Sequence, residues 1–241
     1  MDPSKAGPSP WSRSRLKRPA GIGSTSGDFS EEFQPDVKKI ELYRLVASGD
    51  MYSFDRRLDE VIAISELSPQ NNSVLHVAAQ YQQAQKAAKI IERVPELVNF
   101  PNMNGDLPLH IAARVGCKDT LDVLINQEVV NEYIRNKQGD TPLHDAVRGA
   151  HLEVVRLLVV KYPNWTGAEN GVGESPLFLA VDKWHFDIAK EIFPKDGCSI
   201  RGRDSMNVLH AAVIRLGQGK LPNILTILLY SEVGSPLSGG K

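Results

Sequence analysis

Cysteine is almost absent from this chain of 241 residues: Cys117 and Cys198 are the only two, and they are not in a CxxC pair. Two thiols at that separation provide neither a disulfide framework nor the spacing of a zinc site, and a reducing compartment is the natural setting. Long apolar runs are missing as well. The longest candidate, residues 221–230, is too short to cross a bilayer, which takes about 18–20 apolar residues, and it reads as a buried helix. No apolar signal-peptide core stands at the start. Charge of one sign is also lacking. With 28 basic and 29 acidic residues, the net charge of -1 predicts no general affinity for nucleic acid or anionic membranes. No nucleophile elbow, phosphate-binding loop or metal-binding helix motif occurs, so no catalytic, cofactor or metal site is expected.

The first 36 residues are rich in Pro, Ser and Gly and show no apolar periodicity. Such a composition buries too little apolar surface to offset the entropy of ordering, so residues 1–36 read as a disordered tail. Its basic cluster, Arg13, Arg15, Lys17 and Arg18, reads as solvated charge, with nuclear import as the alternative. Gly21, Gly23 and Gly27 follow no predicted strand and form no dinucleotide loop.

What the chain does have is a repeat. Leu75-His76, Leu109-His110 and Leu143-His144 recur every 34 residues; a further step of 34 gives Leu177-Phe178, and one of 32 gives Leu209-His210. A small residue follows each pair by two positions: Ala78, Ala112, Ala146, Ala180 and Ala212. Ser73, Thr141, Ser175 and Asn207 precede the pairs as helix-capping residues that accept a bond from a backbone N–H, and Pro108, Pro142 and Pro176 suit a first helical position. The histidine on the first turn is placed to bond both its own cap and the neighbouring turn. Gly105, Gly139 and Gly173 fall two residues before the cap, where the turn calls for positive φ. A second helix follows in each unit, with one apolar side carried by Ile90 and Ile91, then Leu121 and Leu124, Val155 and Leu158, and Ile188 and Ile192. A unit of this kind cannot bury its own apolar face and has to stack.

Thr141-Pro142-Leu143-His144 with Ala146, in phase with the other copies, resembles the ankyrin-repeat signature. The resemblance spans residues 40 to 230 and implies an all-α ankyrin-repeat solenoid: helix–turn–helix units with hairpin loops, about five repeats, and a degenerate N-terminal cap beginning near Ile40. The expected domains are a disordered tail over 1–36, the repeat domain over 37–230 and a flexible C-terminal tail over 231–241. The segments 42–50, 173–182 and 207–214 resemble plant ankyrin-repeat membrane proteins of the accelerated-cell-death type. That resemblance implies defence and stress signalling at membranes, in a chain truncated before the family's transmembrane helices.

Departures from the pattern carry their own expectations. Leu107 replaces a capping Thr, which costs that cap unless Asp106 substitutes. Phe178 replaces a histidine, and Ser205 stands where glycine is expected. Residues 217–220 lengthen a loop. Ile224, Leu225, Ile227, Leu228 and Leu229 are apolar on more than one side, which predicts a last repeat covered by a partner or by a second copy. His76, His110, His144 and His210 occupy the repeat's structural position, and His151 and His185 begin second helices. Trp184 sits at a turn position usually held by a small residue and is expected to pack.

Ankyrin stacks bind proteins on a concave side built from hairpin tips and first helices. Repeat phase puts Asn104, Asp106, Arg135, Lys137, Gln138, Asp140, Val172 and Glu174 on the tips, and Gln80, Arg114, Asp145, Arg148 and Asp182 at exposed first-helix positions. The cluster Arg114, Arg135, Lys137 and Arg148 points to an acidic or phosphorylated partner segment. The resulting expectation is a non-enzymatic adaptor without cofactor, cytoplasmic or held at the cytosolic face of the plasma membrane through partners. The alternative is the cytosolic ankyrin portion of a membrane signalling protein.

Overall fold

The structure, a computed structural model, describes residues 37–63, 68, 70–127 and 134–216. The two expected tails, the 217–220 loop and the apolar stretch at 224–229 lie outside the described residues. Among the described residues the chain is all helix: twelve helices and two short 3₁₀ turns, with no strand beyond one isolated bridge between Arg201 and Asn207.

The helices come in pairs. First helices are α1 (Val37–Ala47), α4 (Val74–Gln80), α6 (Pro108–Val115), α8 (Pro142–Arg148), α10 (Pro176–Asp182) and α12 (Val208–Leu216). The second-helix layer is α2 (Met51–Arg56), α3 (Leu58–Ala63), α5 (Ala84–Arg93), α7 (Lys118–Ile125), α9 (Leu152–Lys161) and α11 (Phe186–Ile192). From α4 onward each first helix packs on the next, α4 on α6, α6 on α8, α8 on α10 and α10 on α12, while α5, α7, α9 and α11 stack in the same order. That is a linear stack of units, each burying the apolar face its neighbour offers.

The sequence pattern explains the core. Leu75, Leu109, Leu143 and Leu177 point inward with at most 1% exposure, and Ala78, Ala112, Ala146 and Ala180 are wholly buried where adjacent first helices approach. On the second helices Ile90, Leu121, Leu124, Val155, Leu158 and Ile192 are likewise buried. Gly105, Gly139 and Gly173 adopt φ of 75°, 78° and 80°, the left-handed turn expected of them. Ser205, in place of the next glycine, takes φ of 59° and Asp204 beside it 55°. Trp184 also sits in the left-handed region (φ 65°), one repeat beyond Ala150 and two beyond Gly116. Its half-buried ring meets Phe186 edge to face at 5.7 Å.

The N-terminal unit is closed by an unusual buried cation. Lys86 of α5 has no solvent exposure, and its Nζ donates to the carbonyls of Leu45 (2.6 Å), Val46 (3.4 Å) and Ser48 (2.5 Å) at the end of α1. An ammonium at a helix C-terminus satisfies orphan carbonyls and complements the helix dipole. Lys86→Met keeps the stem and removes the donors, so it should lower stability by about 2 kcal/mol in urea unfolding. An unchanged midpoint would show that water replaces the ammonium.

Candidate functional site

The hairpin tips are built by a repeated asparagine that the sequence reading overlooked. Asn102, Asn136 and Asn170 are buried, one per repeat. Each Oδ1 accepts the backbone N–H groups two and four residues ahead, at 2.9–3.1 Å, folding the tip. The side-chain amide reaches back to the preceding tip: Asn136 Nδ2 donates to Asp106 Oδ1 at 2.8 Å, and Asn170 Nδ2 to Asp140 Oδ1 at 2.9 Å. Backbone bonds run alongside, from Lys137 N to Asn104 O and from Gly171 N to Gln138 O. The signal was present as Asn-x-x-Gly followed by Asp or Glu at a period of 34.

Three of the four repeat histidines do the tying expected of them, while the exposed His210 bonds its own cap residue, Asn207. His76, His110 and His144 each donate Nε2–H to the carbonyl of the next tip's acid: Asp106 at 2.9 Å, Asp140 at 3.1 Å and Glu174 at 3.0 Å. A carbonyl only accepts, so the proton is on Nε2 and Nδ1 is an acceptor. Nδ1 accordingly receives the backbone N–H of Ser73, Leu107 and Thr141. At Ser73 and Thr141 this corrects the capping scheme drawn from the sequence, whereas Asn207 caps as expected, its Oδ1 accepting from His210 N at 3.1 Å. Ser73 and Thr141 turn their hydroxyls to the histidine Nδ1, at 2.8 and 2.9 Å, instead of accepting a helix N–H. Only where Phe178 replaces histidine does the hydroxyl cap its helix, Ser175 Oγ accepting from Phe178 N at 3.2 Å. Asp106 does not substitute for the missing cap at Leu107, because its carboxylate is committed elsewhere. Burial removes water from the three imidazoles and pushes each down to about 4, against the pull of the carbonyl partners.

Between the tips and the first helices runs a groove of about 640 Å³. Nine of the expected site residues line it: Asn104, Asp106, Arg114, Lys137, Gln138, Asp140, Asp145, Arg148 and Val172. Asn136, Asn170 and Gly171 complete the wall. Four expected residues do not line it, among them Gln80, which is exposed on α4. Arg135 faces a separate cavity of about 300 Å³ with Trp165 and Asp196, and its Nη1 donates to the carbonyls of Gly139 and Glu169. Glu174 and Asp182 are joined by Arg203, at 2.6 and 3.3 Å.

Asp145, expected at an exposed first-helix position, is instead buried, and so are the acids of the tips, Asp106, Asp140 and Glu174. The reason is a ladder of ion pairs. Arg114 reaches Asp106 eight residues back at 3.0 Å and Asp145 on the next helix at 3.1 Å; Arg148 repeats the eight-residue step to Asp140 at 2.5 Å and lies 3.8 Å from Glu174. Glu174 and Asp182, at the next eight-residue step, are both acidic, and Arg203 from the following tip bridges them. Burial alone would raise the Asp106 and Asp140 carboxyls. The arginine beside each, with Asn136 or Asn170, outweighs it and holds both below the usual carboxylate range. At Asp145 burial dominates, aided by Asp106 and Asp140 and opposed by Arg114, and lifts the carboxyl to about 6. Arg148 is half-buried in this network rather than a free surface cation. Arg148→Glu would set a carboxylate against three others and test folding, not binding.

Comparison with known proteins agrees with this architecture. Among the described residues no helix is long and apolar enough to cross a membrane. No curated protein matches the chain. Residues 75–166 match the family model of ankyrin repeats in three copies, within a chain whose helix order continues the same unit on both sides. Residues 75–166 are therefore similar to ankyrin repeats, and the described residues fold as an all-α ankyrin solenoid.

Proposed function

We propose that the chain is a non-enzymatic adaptor that takes a partner protein in the groove between its hairpin tips and first helices, the side expected to be concave. The observation carrying this reading is the contrast within the groove. The ion-pair ladder fixes the floor, while Asn104, Lys137, Gln138 and Val172 at the rim remain exposed to solvent. A rigid floor with free side chains on the rim limits the ordering cost of association. The resemblance of segments 42–50, 173–182 and 207–214 to plant ankyrin-repeat proteins supports reading it as an adaptor in stress or defence signalling, in the cytoplasm or at the plasma membrane through its partners.

Affinity capture from plant extract tests the reading. Gln138→Arg together with Val172→Arg should abolish capture of a partner held by the unmodified chain, with the circular dichroism spectrum unchanged. Val160→Arg, at a 77% exposed position on α9 of the second-helix layer, should leave capture intact. The reverse pattern would move the binding surface to the second helices.

Val213 and Ile214, 60% and 59% exposed on α12, favour a second reading, self-association through the last repeat as in the cytosolic portion of a membrane signalling protein. Light scattering at high micromolar concentration discriminates the two, since a strict monomer excludes the second.

A further inference from the structure

The groove's charges are layered, and the layering selects a ligand. Three acids, Asp106, Asp140 and Asp145, and three bases, Arg114, Lys137 and Arg148, line it, so the formal charges cancel. The two signs are not equally accessible. The carboxylates of Asp106, Asp145 and Asp140 expose 2%, 4% and 5% of their side chains, whereas Arg114 and Arg148 expose 43% and 33%. Lys137 is exposed and has no ion-pair partner among the described residues. An incoming group therefore meets cations, with their counter-charges behind them. We propose that the groove binds an acidic segment of a partner protein through aspartate or glutamate side chains. This rests on the groove being the binding surface.

Three features of the wall support that choice. A basic ligand finds no accessible carboxylate, because each already accepts bonds from an arginine or an asparagine, and it would have to displace one of them. The arginines are held in place by those bonds, so presenting them to an anion requires little reordering of flexible side chains. Arg114 and Arg148 stand one repeat apart, and Lys137 lies on the tip between them in sequence, an arrangement suited to successive carboxylates along an extended chain. Single negative charges fit better than a phosphate. Phosphate brings about two charges to one point in front of three buried carboxylates, and the groove has no net positive charge to balance it.

Short fluorescent polyglutamate and polylysine peptides, titrated separately into the full chain, test the inference. Polyglutamate should bind and polylysine should not. Lys137→Glu and Gln138→Glu, both at exposed positions where the fold does not depend on the side chain, should each weaken polyglutamate binding, Lys137→Glu by about tenfold. Salt above about 0.3 M should do the same. If polylysine binds instead and Lys137→Glu tightens it, the inferred ligand charge is wrong while the groove remains the binding surface. If polyglutamate binds but neither variant alters its affinity, it is held elsewhere, as on Arg13, Arg15, Lys17 and Arg18, and the inference fails. Failure of the groove as a surface is read separately, from the capture experiment with Gln138→Arg and Val172→Arg.

Discussion

Acidification from pH 7 to about 4.5 unfolds the chain. The three histidines that tie successive repeats are neutral donors with folded-state values near 4, against 6.5 for the unsupported side chain. Between those values the unfolded chain binds three protons that the folded chain refuses, so stability falls as pH drops through the window and is fully present above it. Asp145 acts in the opposite sense. Its carboxyl, raised to about 6, takes a proton in the folded state first and returns some stability below that pH. Asp106 and Asp140 are held low and lose their contribution only below the ordinary carboxylate value of 3.8. The balance between about pH 6 and 4 is therefore roughly two protons, or about 3 kcal/mol per pH unit. Two units of pH remove an amount comparable to the whole stability of an ordinary domain, roughly 5–15 kcal/mol. Urea unfolding followed by circular dichroism at pH 7, 6 and 5 gives the slope. His144→Gln should lower stability at pH 7 yet flatten the slope by about 1.4 kcal/mol per pH unit. A slope near zero would mean that the buried imidazoles already carry protons.

Restoring the repeat's own asparagine at residue 202 destabilises the protein. Gly202 stands where Asn102, Asn136 and Asn170 stand in earlier tips, and by consensus reasoning Gly202→Asn should stabilise. The structure says otherwise. A Cβ at residue 202 would lie 2.1 Å from Cδ2 and Cε2 of Phe178, a side chain with no exposure and little room to move. Overpacking of this kind costs typically 1–3 kcal/mol, and so close a contact with a buried ring belongs at about 3. The two departures from the pattern explain each other. Phenylalanine in place of histidine needs space that only glycine leaves, and Arg203 then lies over the ring at 5.6 Å. Phe178→His together with Gly202→Asn should cost less than the sum of the two single changes by at least about 1 kcal/mol. Strict additivity in the four-member cycle would show that ring and glycine are independent.

These two cases also mark how far the sequence could be read. The period of 34, the inward leucines, the close-packed alanines and the positive-φ glycines follow from local rules, because each is fixed by the helix or turn it sits in. The tie from histidine to the next tip was legible for the same reason, since its position on the first turn repeats in every unit. Asp145 was read as exposed and is buried. Position on its own helix leaves it facing outward, and only the stacking of α6 brings Arg114 across to cover it. Glycine at residue 202 looked unremarkable, because what constrains it is a ring two helices of sequence away.

The sequence by itself determined the all-α ankyrin solenoid, the order of its units and most of the groove-lining residues, since a repeat that cannot bury its own face has one way to stack. The tertiary structure alone decided which of those residues meet solvent. Burial and ion pairing depend on the neighbouring unit, and they turned an apparently mixed surface into exposed cations over hidden carboxylates.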